Sequence, residues 1–251
     1  MCRCLLALCL FSAAAQPTTV VVIGTRHEPN ARFAKQDLVE ALCRVRPSAI
    51  LVEADQSLLD QMYLSHTVEG YAVRDYEKIA PVEVLPYDIK NRNQIYSRFG
   101  YFELQREFFR VLHALYMDYQ LVPEARTLYK EYLSASQMSQ AFDQGSMDLF
   151  NSVTCDEAIE RLHQTADRNF ARIIKLTPGL ARFATYAGFE KEFWELRNST
   201  MVRNILHHTH DFPGGRIAVL CGFHHRYYLV SHLQAGREKA GIQVREYWSY
   251  Y

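Results

Sequence analysis

The chain has 251 residues, of which 49% are hydrophobic and 22% charged, with 28 basic side chains against 28 acidic. That is enough apolar material for a substantial core, in one large domain or two small ones. A formal charge of zero lacks the basic excess that nucleic acid or an anionic membrane surface calls for, so neither is expected as a partner.

The first fifteen residues read as an address. Arg3 supplies a positive segment, Cys4 to Phe11 is apolar, and Ala13-Ala14-Ala15 before Gln16-Pro17 has the small-residue pattern of a signal-peptidase site. Residues 1–15 are therefore expected to be a signal peptide and residues 16–251 a single α/β domain, secreted or periplasmic. The apolar stretch is too short to span a bilayer, and no transmembrane helix is expected in the mature chain. Leu8 before Cys9 departs from the small residue that precedes a lipidated cysteine. Cys43, Cys155 and Cys221 remain after cleavage, an odd and widely spaced set without Cys-x-x-Cys, which argues against a disulfide framework and against a structural zinc site.

Thr19 to Ile23 is the first strand, and Gly24-Thr25-Arg26-His27 follows it. Asn30 can cap a helix from about Ala31 to Val45, which Pro47 stops. Ala49 to Val52 is a second buried strand ending at Glu53, so strand, helix and strand predict a right-handed crossover and a parallel pair. Short helices are expected over Leu58–Leu64 and Arg74–Ile79. A third strand, Val82 to Leu85, runs towards Asp88. His27, Glu53 and Asp88 thus each follow a strand, and the shared end of the sheet should collect ionisable groups.

From about residue 96 to 210 the period-two pattern is lost. Phe102, Phe109, Leu112, Leu115 and Tyr119 recur at helical spacing, and Thr154 with Glu157 has the form of a capping box. This predicts a large helical insertion between the third and fourth strands, either a lid over the crevice or a layer that completes the core. The fourth strand, Ile217 to Cys221, precedes Gly222-Phe223-His224-His225. A helix from about Arg226 to Lys239 and a strand from Gln243 to Tyr247 finish a mostly parallel sheet flanked by helices.

Strand-Gly-x-x-His thus occurs twice and frames the chain. A glycine at each strand end lets the backbone turn without a Cβ clash, and loops at the carboxyl ends of parallel strands converge where strand order reverses. His27 and His225, with His224 as the alternative, should then meet at one crevice. His207, His208 and His210 lie on neighbouring helix positions that point in different directions, so a solvated helix end is expected there.

Four segments in order, Val22-Ile23-Gly24-Thr25-Arg26-His27, Leu51-Val52-Glu53-Ala54-Asp55, Arg197-Asn198-Ser199-Thr200-Met201 and Leu220-Cys221-Gly222-Phe223-His224-His225, resemble the TraB/TIKI superfamily with its erythromycin-esterase-like and ChaN-like relatives. The resemblance covers about residues 19 to 235. It implies an α/β fold with a helical insertion and, for several members, hydrolysis, in the TIKI branch as a divalent-metal-dependent protease. With the signal-like N-terminus, this gives the expectation of an exported hydrolase, with or without a metal, that cleaves an amide or ester. It maps His27, Glu53, Arg197 and His225 onto the family's polar set and Gly24 and Gly222 onto its glycines, with Asp88 and His224 as secondary candidates. His27, Glu53 and His225 could hold Mn²⁺, Co²⁺ or Zn²⁺ and lower the pKa of a bound water. Alternatively His27 or Glu53 acts directly as a general base. An arginine facing the site would stabilise an oxyanion or grip a carboxylate in two-pronged fashion. Against these stand plainer readings, in which Glu53 pairs with Arg26 and Arg197 bridges helix and sheet. The ChaN-like branch suggests a rival of another class, a non-catalytic metal- or haem-binding protein. The small-molecule or peptide substrate is not specified by the sequence. A dinucleotide fold lacks its Gly-x-Gly-x-x-Gly here, and a serine hydrolase its Gly-x-Ser-x-Gly.

Overall fold

The computed structural model describes residues 16–59 and 67–250. The segment read as a signal peptide, and most of the short helix expected over Leu58–Leu64, lie outside the described residues. Five strands form one all-parallel sheet: β1 (Thr18–Thr25), β2 (Ala49–Val52), β3 (Glu83–Pro86), β4 (Arg216–Gly222) and β5 (Ile242–Arg245). Their order in space is β3-β2-β4-β1-β5. The α/β class and the large helical insertion between β3 and β4 are as expected.

One expectation needs correction. β1 and β2 are parallel, but they are not partners, because β4 lies between them, pairing Ile217 with Val20 on one side and with Ala49 on the other. The crossover rule fixes the hand of a connection but not whether the two strands touch. β4 can hold the centre because its run Ile217 to Cys221 is buried throughout, as a central parallel strand requires, a property it shares with β1 and β2.

Alternate residues of each strand feed two apolar layers. Val21, Ile23, Ile50 and Leu220 pack under α1 (Lys35–Val45) and α2 (Val68–Glu77). On the other face, Val20, Val22, Leu51 and Val219 pack under the end of the insertion's last helix and the helix after β4. The chain steps one way from β1 to β3 and back the other way to β4 and β5. Connections from β1 and β2 therefore leave on one face and that from β4 on the other, which opens a crevice at the carboxyl ends beside β4.

The insertion contains α3 (Arg92–Phe99), α4 (Tyr101–Met117), α5 (Pro123–Gln140), α6 (Met147–Phe150), α7 (Val153–Leu176) and, after a 3₁₀ segment at Pro178–Phe183, α8 (Ala184–Thr209). It has an apolar cluster of its own, in which Phe108 meets Phe170 edge to face with centroids 5.2 Å apart. It also completes the sheet's layers, through Cys155 and Ile159 on one face and Met201 and Ile205 on the other. Of the aromatics read at helical spacing, Phe102 and Tyr119 are exposed, at 55% and 79%.

Local starts differ from the sequence reading where a nearer side chain closes the turn. Asn30 accepts the Arg32 N–H and does not cap a helix; α1 begins at Lys35, where Asp37 accepts the Ala34 N–H at 2.7 Å. Ser152, two residues before Thr154, caps α7 by accepting the Cys155 N–H. The helix after β4, α9, runs Phe223–Ala240, so His224 and His225 sit in its first turn and not on a loop. The last strand ends at Arg245, and Tyr247 opens a 3₁₀ turn.

Candidate active site at the strand ends

Neither glycine is needed for turning, and only Gly24 is needed for space. Neither is among the glycines with positive φ. A Cβ on Gly24 would lie 3.0 Å from the Arg226 side chain and 3.3 Å from the Phe150 carbonyl, where Asn151 clamps the strand by accepting the Gly24 N–H and donating to its carbonyl. At Gly222 a Cβ would meet Glu53 Oε2 and His27 Nε2, each at 3.5 Å, an ordinary contact. Gly222 therefore leaves a gap the size of a methyl group between the carboxylate of β2 and the imidazole after β1.

At that gap the strand ends converge as expected. His27, Glu53 and His225 line one crevice of about 480 Å³, whose far wall is Tyr96, Tyr101 and Phe102 of the insertion. A second cavity of about 300 Å³ adjoins it, sharing His27, Glu53, Arg92 and Gly222 and adding Glu69. Neighbouring strand carbonyls and N–H groups fix the backbones, so the side chains are presented from a rigid edge.

Arg197, on α8, is the hub. Its Nε and Nη2 donate to the two oxygens of Asp88 at 2.9 Å each, Nη2 also to Glu53 Oε1 at 2.5 Å, and Nη1 to His225 Nε2 at 3.0 Å. The two-pronged grip expected of a site arginine is thus made within the chain, on Asp88, and one residue ties α8 to the ends of β2 and β3 and to α9. Glu53 pairs with Arg197 and not with Arg26. Its other oxygen accepts the Gly222 N–H at 2.6 Å. Burial would raise the Glu53 carboxyl, but the Arg197 guanidinium, the nearby His27 and that N–H outweigh it and hold the group ionised, below the ordinary carboxylate range.

The two motif histidines differ in every respect. Because a guanidinium can only donate, His225 Nε2 must accept, and its Nδ1–H donates to Asn198 Oδ1 at 2.8 Å. Burial pushes His225 well below its ordinary value, so the ring is neutral. It stacks on Trp194, which stacks in turn on His163, itself pushed down to about 3 by burial. His27 is on the loop after β1, with 57% of its side chain exposed, and its Nδ1 donates to Glu69 Oε1 at 3.0 Å. That bond raises its pKa to about 9. Its Nε2 faces the gap over Gly222. His224 lines the crevice, and burial lowers its pKa.

Sequence reasoning missed Glu69, Arg92, Trp194 and His163, and it quoted Asn198 beside Arg197 without giving it a role. Glu69 is buried on α2, where Thr25 Oγ1 also donates to it. Arg92 donates to Asp88 at 2.9 Å and lies 3.6 Å from Glu53. Glu69 did leave a signal, because positions 69, 72, 73 and 76 form one helical stripe of which the other three are the buried Ala72, Val73 and Tyr76. His208 needs correction: it is not solvated but bonds the Pro86 carbonyl through Nε2 at 3.1 Å.

His27, Glu53 and His225 do not make a three-ligand metal centre. The His225 nitrogen that would face an ion is occupied by Arg197, and a guanidinium beside it would repel a cation. Among the described residues no group of three or more His, Cys, Asp or Glu side chains is placed to hold a metal ion. No helix among them is long and apolar enough to cross a membrane. No family model, curated protein or solved structure matches this chain.

Proposed function

We propose that the chain is an exported hydrolase that cleaves an amide or ester with His27 as its proton carrier. The observation that carries this reading is the gap over Gly222, bounded by His27 Nε2 and Glu53 Oε2, at the floor of a crevice large enough for a small molecule or the end of a peptide. A water in the gap has an imidazole on one side and a fixed carboxylate on the other. Glu69 fixes the ring with Nδ1 protonated, so Nε2 of the neutral form accepts the proton as the water oxygen bonds to the substrate carbonyl carbon. The oxyanion so formed lies near the first turn of α9, whose N–H groups have no carbonyl one turn back to accept them. His27 then returns its proton to the leaving nitrogen or oxygen as the carbon–leaving-group bond breaks. A pKa of about 9 suits that second step and leaves only a minor fraction of the base form at neutral pH.

In this reading Glu53 orients the water, Arg197 positions Glu53 and His225, and no step passes through a metal. The resemblance to the TraB/TIKI superfamily supports hydrolysis, and the N-terminal segment supports export. No observation favours the binding-only alternative.

The test is a screen of amide and ester substrates with the wild type, His27→Gln and Gly222→Ala. General-base contributions are about 10² to 10⁴ in rate, so His27→Gln should lose that much. Gly222→Ala puts a methyl group where the water sits, in ordinary contact and at a negative φ, so it should fold normally and lose activity to a similar degree. Full activity in folded Gly222→Ala would reject the water position.

A further inference from the structure

The charges around the crevice are not evenly matched. Arg197 and Arg92 face Asp88 and Glu53, and His27 faces Glu69. His224 and His225 have their pKa values lowered by burial. That leaves Arg26, which lines the crevice one residue before His27 and has no carboxylate within 4 Å among the described residues. Its Nη1 donates to the backbone carbonyl of Asp143 at 2.9 Å, and Asn30 holds the same carbonyl at 3.0 Å and that of Gly145 at 3.1 Å. The guanidinium is thus anchored at one corner by a loop that is itself pinned. Its Nε and Nη2 donate to no atom of the described residues, and together they form the edge that matches the two oxygens of a carboxylate. Across the crevice stand Tyr101 and the exposed ring of Phe102, a wall for a flat apolar group.

We infer that Arg26 binds a substrate carboxylate, and that the substrate class is an amide or ester carrying a free carboxylate at one end and an aromatic or bulky apolar acyl group at the other. This rests on the hydrolase reading for the scissile bond, but the recognition can be measured without turnover.

The probes are hippurate, which has a benzoyl group, an amide and a carboxylate, and hippuramide, which differs only in lacking the charge. Titrated into the full chain at neutral pH and followed by NMR, hippurate should bind about ten to a hundred times more tightly than hippuramide, as a charged hydrogen-bonded pair allows. Arg26→Gln should erase that preference while leaving hippuramide binding unchanged. Arg26→Lys, which keeps the charge without the fork, should retain a reduced preference and serves if the glutamine variant does not fold. Equal binding of the two probes to the wild type, no binding of either, or a preference that survives in Arg26→Gln would each overturn the assignment. The same spectra show whether either probe is cleaved; binding with the expected preference and no cleavage of any substrate would sink the hydrolase reading and leave carboxylate recognition standing.

Discussion

The two Gly-x-x-His segments begin alike and end as opposites. After β1 the chain enters a loop, so His27 stays at the surface, finds a buried carboxylate and becomes easier to protonate. After β4 it enters a helix at once, so the third residue beyond the glycine is carried into the packed interior, where His225 is wedged between Arg197, Asn198 and Trp194 and becomes harder to protonate. The same four-residue pattern therefore yields an exposed, readily protonated imidazole in one place and a buried, neutral one in the other. What separates them is the element that follows the strand.

The difference has a sign in the dependence of stability on pH. For His27 the folded pKa of about 9 lies above the ordinary 6.5, so stabilisation from its contact with Glu69 is complete below about pH 6.5 and is lost as pH rises through about 9. For His225 the shift is downward, so the unfolded chain gains protons first and stability falls as pH drops below about 6.5. His163 adds to the second slope. The first is softened by water, because the His27 side chain is more than half exposed.

The comparison can be broken most forcefully at Arg197. Arg197→Met removes the buried cation that Glu53 and Asp88 share and the donor to His225, leaving the two carboxylates only the more exposed Arg92. Losing one member of such a buried pair costs about 3–5 kcal/mol. Urea unfolding of the variant should show a loss of that size, and a loss below about 1 kcal/mol would mean that the hub does not hold the strand ends. A smaller effect should sharpen the other half. Glu69→Gln takes away the carboxylate that raises His27, so the pH at which activity rises to its plateau should move down from about 9 towards 6.5, whereas the same measurement on Asn198→Ala should leave that limb in place. An unmoved limb in Glu69→Gln would separate His27 from the measured ionisation. The smallest expected effect is none: prolonged treatment with a chelator should leave activity at its starting value, because His225 Nε2 is occupied by Arg197. Activity lost with the chelator and restored by Mn²⁺, Co²⁺ or Zn²⁺ would place a metal between the histidines after all.

How legible this was in the sequence depends on the kind of information. Val20 to Ile23, Ala49 to Val52 and Ile217 to Cys221 announce buried strands because each is a short, uninterrupted apolar run, and the residues just past such runs must gather at one sheet edge. His27, Glu53, Asp88 and His225 were found that way. Glu69 and Arg92 lie on helices outside the four resembling segments, where a functional residue carries no positional mark, and only the apolar stripe around Glu69 hinted that its carboxylate is buried. The central place of β4 was hidden because strand order is decided by which runs can be covered on both faces, a property of the whole sheet. The start of α9 at Phe223 was hidden because the glycine that ends β4 reads equally well as the head of a loop.

That central strand also sets the order in which the molecule can be built. The hydroxyl of Thr25 bonds the carbonyl of Cys221, 196 positions further along the chain, and the β1–β4 and β2–β4 ladders cannot begin until that segment has left the ribosome. Until then β1 and β2, neighbours in sequence, have an open slot between them in which neither can bond the other in native register, and their Val and Ile side chains wait uncovered. Closing so long a span early is entropically dear, so folding should be slow and dominated by distant contacts. Through most of synthesis the nascent chain would therefore carry three unpaired strand edges, both of β1, whose neighbours β4 and β5 come late, and one of β2, the kind of surface on which aggregation starts and to which chaperones bind.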